Sequence, residues 1–241
     1  MKWQQVLNSS IGKKLVMAAT GLFLIVFLVV HCYVNANVLF ASASEKFEGE
    51  NFNRAAHFMG SNLIIRITEI GLFAGLILHI VQGYKLEIRN RGARKSKYAV
   101  SAGSVTSTWY SRSMAILGTL ILLFLIIHLK HFWLNSRFST PEPDAFDHNG
   151  YYNLYNEMVE VFSQGWVVVV YVLGCFSLAW HLLHGFQSAF QTLGWNTSAW
   201  KSTIKCIGVG FSILVPLIFA LMPVFMFFGI KIPTGGISLM F

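Results

Sequence analysis

From position 15 to position 44 the chain passes thirty residues without one charged side chain, and from 161 to 200 it passes forty more. A helix needs about 20 consecutive, mostly apolar residues to cross a bilayer. A helix that is apolar all round has no face to offer water, so it must be buried or lie in lipid. Only 12% of the 241 residues are charged, against about 25% in an ordinary soluble domain. That is too little charge to coat a soluble globule. The same composition excludes disorder, collagen and a disulfide scaffold. No polar stretch is long enough for a large soluble catalytic domain. The expected fold is all-α: a polytopic membrane helix bundle with five transmembrane helices in one domain, 1–241.

The five apolar spans fall at about 15–40, 62–84, 113–134, 164–187 and 206–230. The first run is too long for a signal peptide and lacks a small-residue cleavage site, so it reads as a retained span. Pro216 and Pro223 are expected to kink the fifth. Five spans put the termini on opposite sides. One side collects Lys2, Lys13, Lys14, Lys85, Arg89, Arg91, Arg94, Lys95, Lys97, Arg112, Lys201 and Lys205; the other holds the remaining six of the 18 basic residues. The richer side is the cytoplasmic one, which places the N-terminus inside. The three cysteines, at 32, 175 and 206, form no C-x-x-C and read as buried thiols.

Ionisable residues inside a membrane are expensive and mark function by default. Six of the eight histidines lie in spans: His31, His79, His128, His131, His181 and His184. His57 and His148 fall in outer loops and are expected to be solvated. At ~1.5 Å per residue, His31 and His128 both lie ~24 Å in from the cytoplasmic ends of spans I and III. His79 and His181 lie ~9 and ~14 Å from the cytoplasmic ends of spans II and IV. The four sort into an outer pair, His31 with His128, and an inner pair, His79 with His181. Two bis-histidine sites at two depths are what two haems for transmembrane electron transfer require, since neutral imidazole is an axial haem ligand.

Glycines follow the same pattern. His79-x-x-x-Gly83 repeats as His181-x-x-x-Gly185, and Gly21 and Gly118 each precede a histidine by ten residues. That spacing brings Gly21 and Gly118 close to the depth of the inner pair, where a flat macrocycle needs backbone to approach. The alternative use of these glycines is plain small-residue helix packing. His128-x-x-His131 and His181-x-x-His184 each place two imidazoles on one helix face, as a nonhaem metal centre would. No acidic residue lies mid-span to complete such a centre. His131 therefore reads as an interfacial residue beside Lys130 and Trp133, and His184 as a hydrogen-bond donor toward a haem propionate. His181 is preferred to His184 as ligand on the repeated His-x-x-x-Gly pattern.

In this ordered set the chain resembles the single-chain, di-haem cytochrome b subunit of succinate:quinone oxidoreductases, the succinate dehydrogenases and quinol:fumarate reductases. The motifs are Thr20-Gly21-Leu22-Phe23-Leu24 before His31, His79-x-x-x-Gly83, Ile127-His128-Leu129 and His181-x-x-x-Gly185. The resemblance covers nearly the whole chain and is nearest to the b558 type. It implies two haem b, with His31 and His128 on one iron and His79 and His181 on the other. It implies a membrane quinone, menaquinone in this class. It also implies a flavoprotein with covalent FAD and an iron–sulfur subunit docked on the cytoplasmic face, against the basic loop 85–112. Succinate/fumarate chemistry would then lie on a partner, and the chain would sit in a bacterial inner membrane. Some members carry a Glu two residues before the fourth ligand for a proton path; here it is Ala179. Some use a Glu after span I at the quinol site, and Glu48 or Glu50 is the candidate proton acceptor here.

Other readings predict other patterns. The cytochrome b of quinol:cytochrome c reductase carries two widely spaced histidines on each of two helices, which no span here does. Anchors of other respiratory oxidoreductases, such as nitrate reductase, place ligands unevenly over fewer helices. A haem-free transporter would show broken helices and midplane acids. Arg66 and Glu69, at i and i+3, are expected to pair with each other at the membrane boundary rather than to flank a quinone head group.

Overall fold

The computed structural model describes residues 9–41, 49–92, 113–138, 145–230 and 232–233. Glu48 and residues 93–112 of the basic loop lie outside the described residues. The architecture is all-α. The helices are α1 (Ser10–Ala36), α2 (Glu50–Ser61), α3 (Leu63–Gly92), α4 (Met114–His128), α5 (Asn135–Phe138), α6 (Leu154–Phe162), α7 (Gly165–Thr192) and α8 (Lys201–Phe228). A 3-10 turn, Asn37–Leu39, ends α1, and a π-helical stretch, Leu129–Leu134, joins α4 to α5. Five of these segments are long and apolar enough to cross a membrane: Ser10–Leu39, Leu63–Gly92, Met114–Phe138, Gly165–Thr192 and Lys201–Phe228. They coincide with the five expected spans. Large apolar side chains on them stay uncovered, Ile64 at 74% and Ile70 at 72% among them, which suits lipid rather than water.

α1, α3, α7 and α8 each extend beyond one end of their apolar segment. α3 continues eight residues past the expected end at 84, through Lys85, Glu87, Arg89 and Arg91. Backbone hydrogen bonding, not hydropathy, sets where a helix stops, and Glu87 with Arg91 at i, i+4 supports the last turns. Pro216 and Pro223 both lie inside α8, which runs through them without interruption. Cys32 and Cys175 are buried as expected, but Cys206 is exposed. It stands in the second turn of α8, on a face that no other described part of the chain covers.

The chain divides into two compact units, each built from three stretches. The first comprises Met1–Phe27, Ile70–Ile121 and Ser177–Leu214. Its helices pack through small residues. A Cβ on Gly75 would lie 3.1 Å from the Phe23 ring, and one on Gly208 would lie 2.6 Å from the Phe186 ring. These glycines are demanded by ring packing. Ser212, fully buried, returns its hydroxyl to the Gly208 carbonyl at 2.6 Å.

The second unit comprises Leu28–Glu69, Leu122–Phe176 and Val215–Phe241. Its core joins Val38 and Leu39 to Phe52, Tyr155, Met158, Phe162, Val167, Tyr171 and Met222. A short parallel pairing sets Phe40 opposite Ile232. The stretches expected as outer loops carry two amphipathic helices, α2 and α6, that pack on each other. The histidines expected there as solvated are exposed, and each also has a neighbour. His57 stacks on Tyr151 with ring centres 4.1 Å apart, and His148 Nε2 stands 3.6 Å from Glu50. Gly49 caps α2 with φ +74°, and a Cβ there would collide with Tyr155.

Asn53 ties this cap together. It is 1% exposed, yet its amide is fully used. Nδ2 donates to Asn153 Oδ1 at 2.9 Å and Asp147 Oδ2 at 3.4 Å, and Oδ1 accepts from the Tyr155 backbone N–H at 3.0 Å. Asn53→Ala strands these partners and is expected to cost on the order of 2–4 kcal/mol. Chemical unfolding of the purified protein checks this; a loss below about 0.5 kcal/mol would show the cap to be uncoupled from stability.

Candidate functional site

Each unit holds one imidazole pair. In the first, His79 of α3 faces His181 of α7 with ring centres 6.3 Å apart and planes inclined at 64°. In the second, His31 of α1 faces His128 of α4 at 5.8 Å and 87°. The pairs are the ones that the depth arithmetic joins. Two imidazoles ligating one metal from opposite sides, through bonds of ~2.0–2.1 Å, have ring centres about 6 Å apart. Both observed separations match. Among the described residues no three His, Cys, Asp or Glu side chains gather at one point.

The surroundings test whether a flat group fits. Gly21 backs onto His79, where a Cβ would lie 3.5 Å from Cε1, and Gly118 backs onto His181 at 3.7 Å. Gly83 would meet only the Met17 methyl at 3.5 Å, and Gly185 nothing within 4 Å. Ordinary side-chain packing therefore does not demand these four glycines, unlike Gly75 and Gly208. Two of them, Gly21 and Gly118, lie directly against the imidazole rings. Two buried ring nitrogens, His128 Nδ1 and His181 Nδ1, have no hydrogen-bond partner among the described residues. Paired imidazoles from facing helices, with glycine backbone against the His79 and His181 rings, fit a bis-histidine haem.

The His31–His128 pair sits in an aromatic setting that the sequence reading missed. Phe124 stacks on His128 at 5.6 Å, and Phe219 lies 5.5 Å from His31. Tyr171, 5% exposed, touches the rings of Phe124, His128, His131, Phe132 and Phe162. Gly174 allows Phe124 its place, since a Cβ there would lie 2.7 Å from that ring. The π-helical stretch begins directly after His128. Such stretches are rare and recur at functional sites. Within it, His131 does not simply face the interface. Its Nδ1 meets the Tyr171 hydroxyl at 3.1 Å, and the two rings lie nearly parallel.

Glu69 gathers its own cluster. Its carboxylate, 18% exposed, accepts from Arg66 at 3.1 Å, from Arg137 at 3.3 Å and from the Trp133 indole. The expected Arg66–Glu69 pair is present. Arg137 and Trp133 are additions from far along the chain. Glu50 opens α2, and its Oε1 stands within 3.3–3.6 Å of Arg54, Asn149 and His148. His184, three residues beyond His181, is half-buried on α7.

Set against family models, curated proteins and solved structures, the chain matches none.

Proposed function

We propose that this chain is a di-haem cytochrome b: the quinone-reactive membrane anchor of a succinate:quinone oxidoreductase. In this reading it passes electrons between the quinone pool and a flavoprotein/iron–sulfur pair on the cytoplasmic side of a bacterial inner membrane. One observation carries it: four histidines from four different spans meet as two separate pairs, with ring centres 5.8 and 6.3 Å apart. His31 and His128 would hold one haem, His79 and His181 the other. Haem iron, when bound, supplies reversible one-electron chemistry.

The chain's own residues hold the ligands and keep water out. Phe124, Phe132, Tyr171 and Phe219 wall the His31–His128 pair with apolar rings. Low polarity there favours the state of lower net charge. Gly21 and Gly118 keep backbone close to the other pair without filling its space. The quinone reading, menaquinone included, rests on the resemblance. Glu50 and Glu48 remain its proposed proton acceptors, with Glu50 paired to Arg54 and 3.6 Å from His148.

The test is anaerobic addition of a short-chain naphthoquinol or of dithionite to the purified chain, followed by absorption. Reduction of b-type bands by the quinol supports the reading. Bands that dithionite reduces and the quinol leaves oxidised would remove the quinone role and leave a cytochrome anchor of another kind. Absence of any b-type band would favour a haem-free transporter.

A further inference from the structure

The two histidines of the first unit have unequal support, and the inequality follows from one residue. Thr20 Oγ1 lies 2.8 Å from the Val16 carbonyl and 3.1 Å from that of Met17. A hydroxyl has one hydrogen, and these carbonyls take it. The same oxygen lies 3.2 Å from His79 Nδ1, and with its hydrogen on a carbonyl its role there is acceptor, which assigns the donor role to the imidazole. His79 is thereby held with its proton on Nδ1 and its lone pair on Nε2. That is the tautomer that ligates a metal through Nε2. Gly21, next along α1, lies against Cε1 of the same ring. Thr20 and Gly21 together bracket one edge of His79.

The second half of the chain repeats the glycine and not the threonine. Gly118 lies against His181 Cε1 as Gly21 lies against that of His79. The residue before it is Leu117, 4% exposed, which can accept nothing. Correspondingly, His181 Nδ1 is buried without a partner among the described residues. Thr119, on the other side of Gly118, is engaged with Tyr84 and the Ala115 carbonyl.

We propose that Thr20 is a positioning residue that fixes His79 as the firmly held, stronger donor of an unequal ligand pair, with His181 the weaker. The inference rests on the haem reading above and deepens it. A hydrogen bond accepted from Nδ1–H raises the basicity of Nε2 and favours the oxidised metal. Thr20→Val keeps the shape and removes the acceptor. It is expected to raise the midpoint potential of one haem, leave the other unchanged, and weaken retention of the first by ~10–100-fold. Thr20→Ser keeps the acceptor and should retain wild-type values. Leu117→Thr places an acceptor opposite His181 and should lower the same haem's potential.

The readouts are redox titration, the low-spin ferric EPR signal and haem loss to a competing apoprotein, all on the full chain. A shift in T20V absent from T20S supports the proposal. An unchanged potential and EPR signal in T20V would overturn it, as would equal haem loss in T20V and T20S. If the wild-type chain binds no haem, the functional reading fails separately. The ¹⁵N spectrum of His79 then still decides the tautomer, and a proton on Nε2 would overturn the Thr20 assignment.

Discussion

Alanine at His128 is expected to lower the haem content from two per chain to one, and to leave the remaining haem's spectrum unchanged. Alanine at His181 should do the converse. Each pair lies wholly within one compact unit, and no ligand is shared. Removing the second member of a pair should therefore add nothing: H31A/H128A should match H128A alone. H128A/H181A should lose both haems. This non-additivity within a pair and additivity between pairs separates paired ligation from general loss of structure. The measurement is pyridine haemochrome per chain, with helix content followed by circular dichroism. Two haems retained in H128A, at unchanged helicity, would contradict the pairing.

The second large effect is expected at Glu69. One carboxylate takes hydrogen bonds from two guanidinium groups and an indole, and it joins α3, the π-helical stretch and α5. Exposed ion pairs contribute only ~0–1 kcal/mol. Breaking a buried one costs ~3–5 kcal/mol, because a charge is left behind without its partner. At 18% exposure Glu69 is nearer the second case. Arg137 Nε is already buried without a partner among the described residues, so loss of the carboxylate leaves that side chain poorly compensated. Glu69→Ala should therefore cost clearly more than ~1 kcal/mol, and Glu69→Gln less than Ala because it can still accept from Trp133. Thermal unfolding in detergent checks this. Equal stabilities for wild type and E69A would show the cluster to be a surface network only.

The five spans were legible because bilayer thickness imposes a length and a polarity that any stretch of sequence either meets or fails. Their helical extents were less so, since charged turns such as 85–92 continue a helix beyond the apolar run. The His pairs were legible from rise per residue alone, because opposite spans run antiparallel and depth can be counted from each end. What the sequence hid is lateral. Depth arithmetic says nothing about rotation around a helix axis. So Tyr171 beside His131, Phe124 beside His128, and Trp133 and Arg137 on Glu69 emerged only with the structure. The π-helical stretch after His128 was hidden for the same reason, since it re-aims side chains without changing composition. α2 and α6 were read as loops because they are short and only amphipathic. Their formation depends on each other and on Asn53, a partner about a hundred residues away from Asn153 and Tyr155. Thr20 stands out in the sequence only within the Thr20–Leu24 motif, because its contact with His79 spans 59 residues of chain.

The most direct measurement is the haem content of the purified, folded chain, taken as pyridine haemochrome against protein by amino-acid analysis. Two b-type haems per chain is the expected result, one for each imidazole pair. A folded preparation carrying one haem, or none, would contradict it.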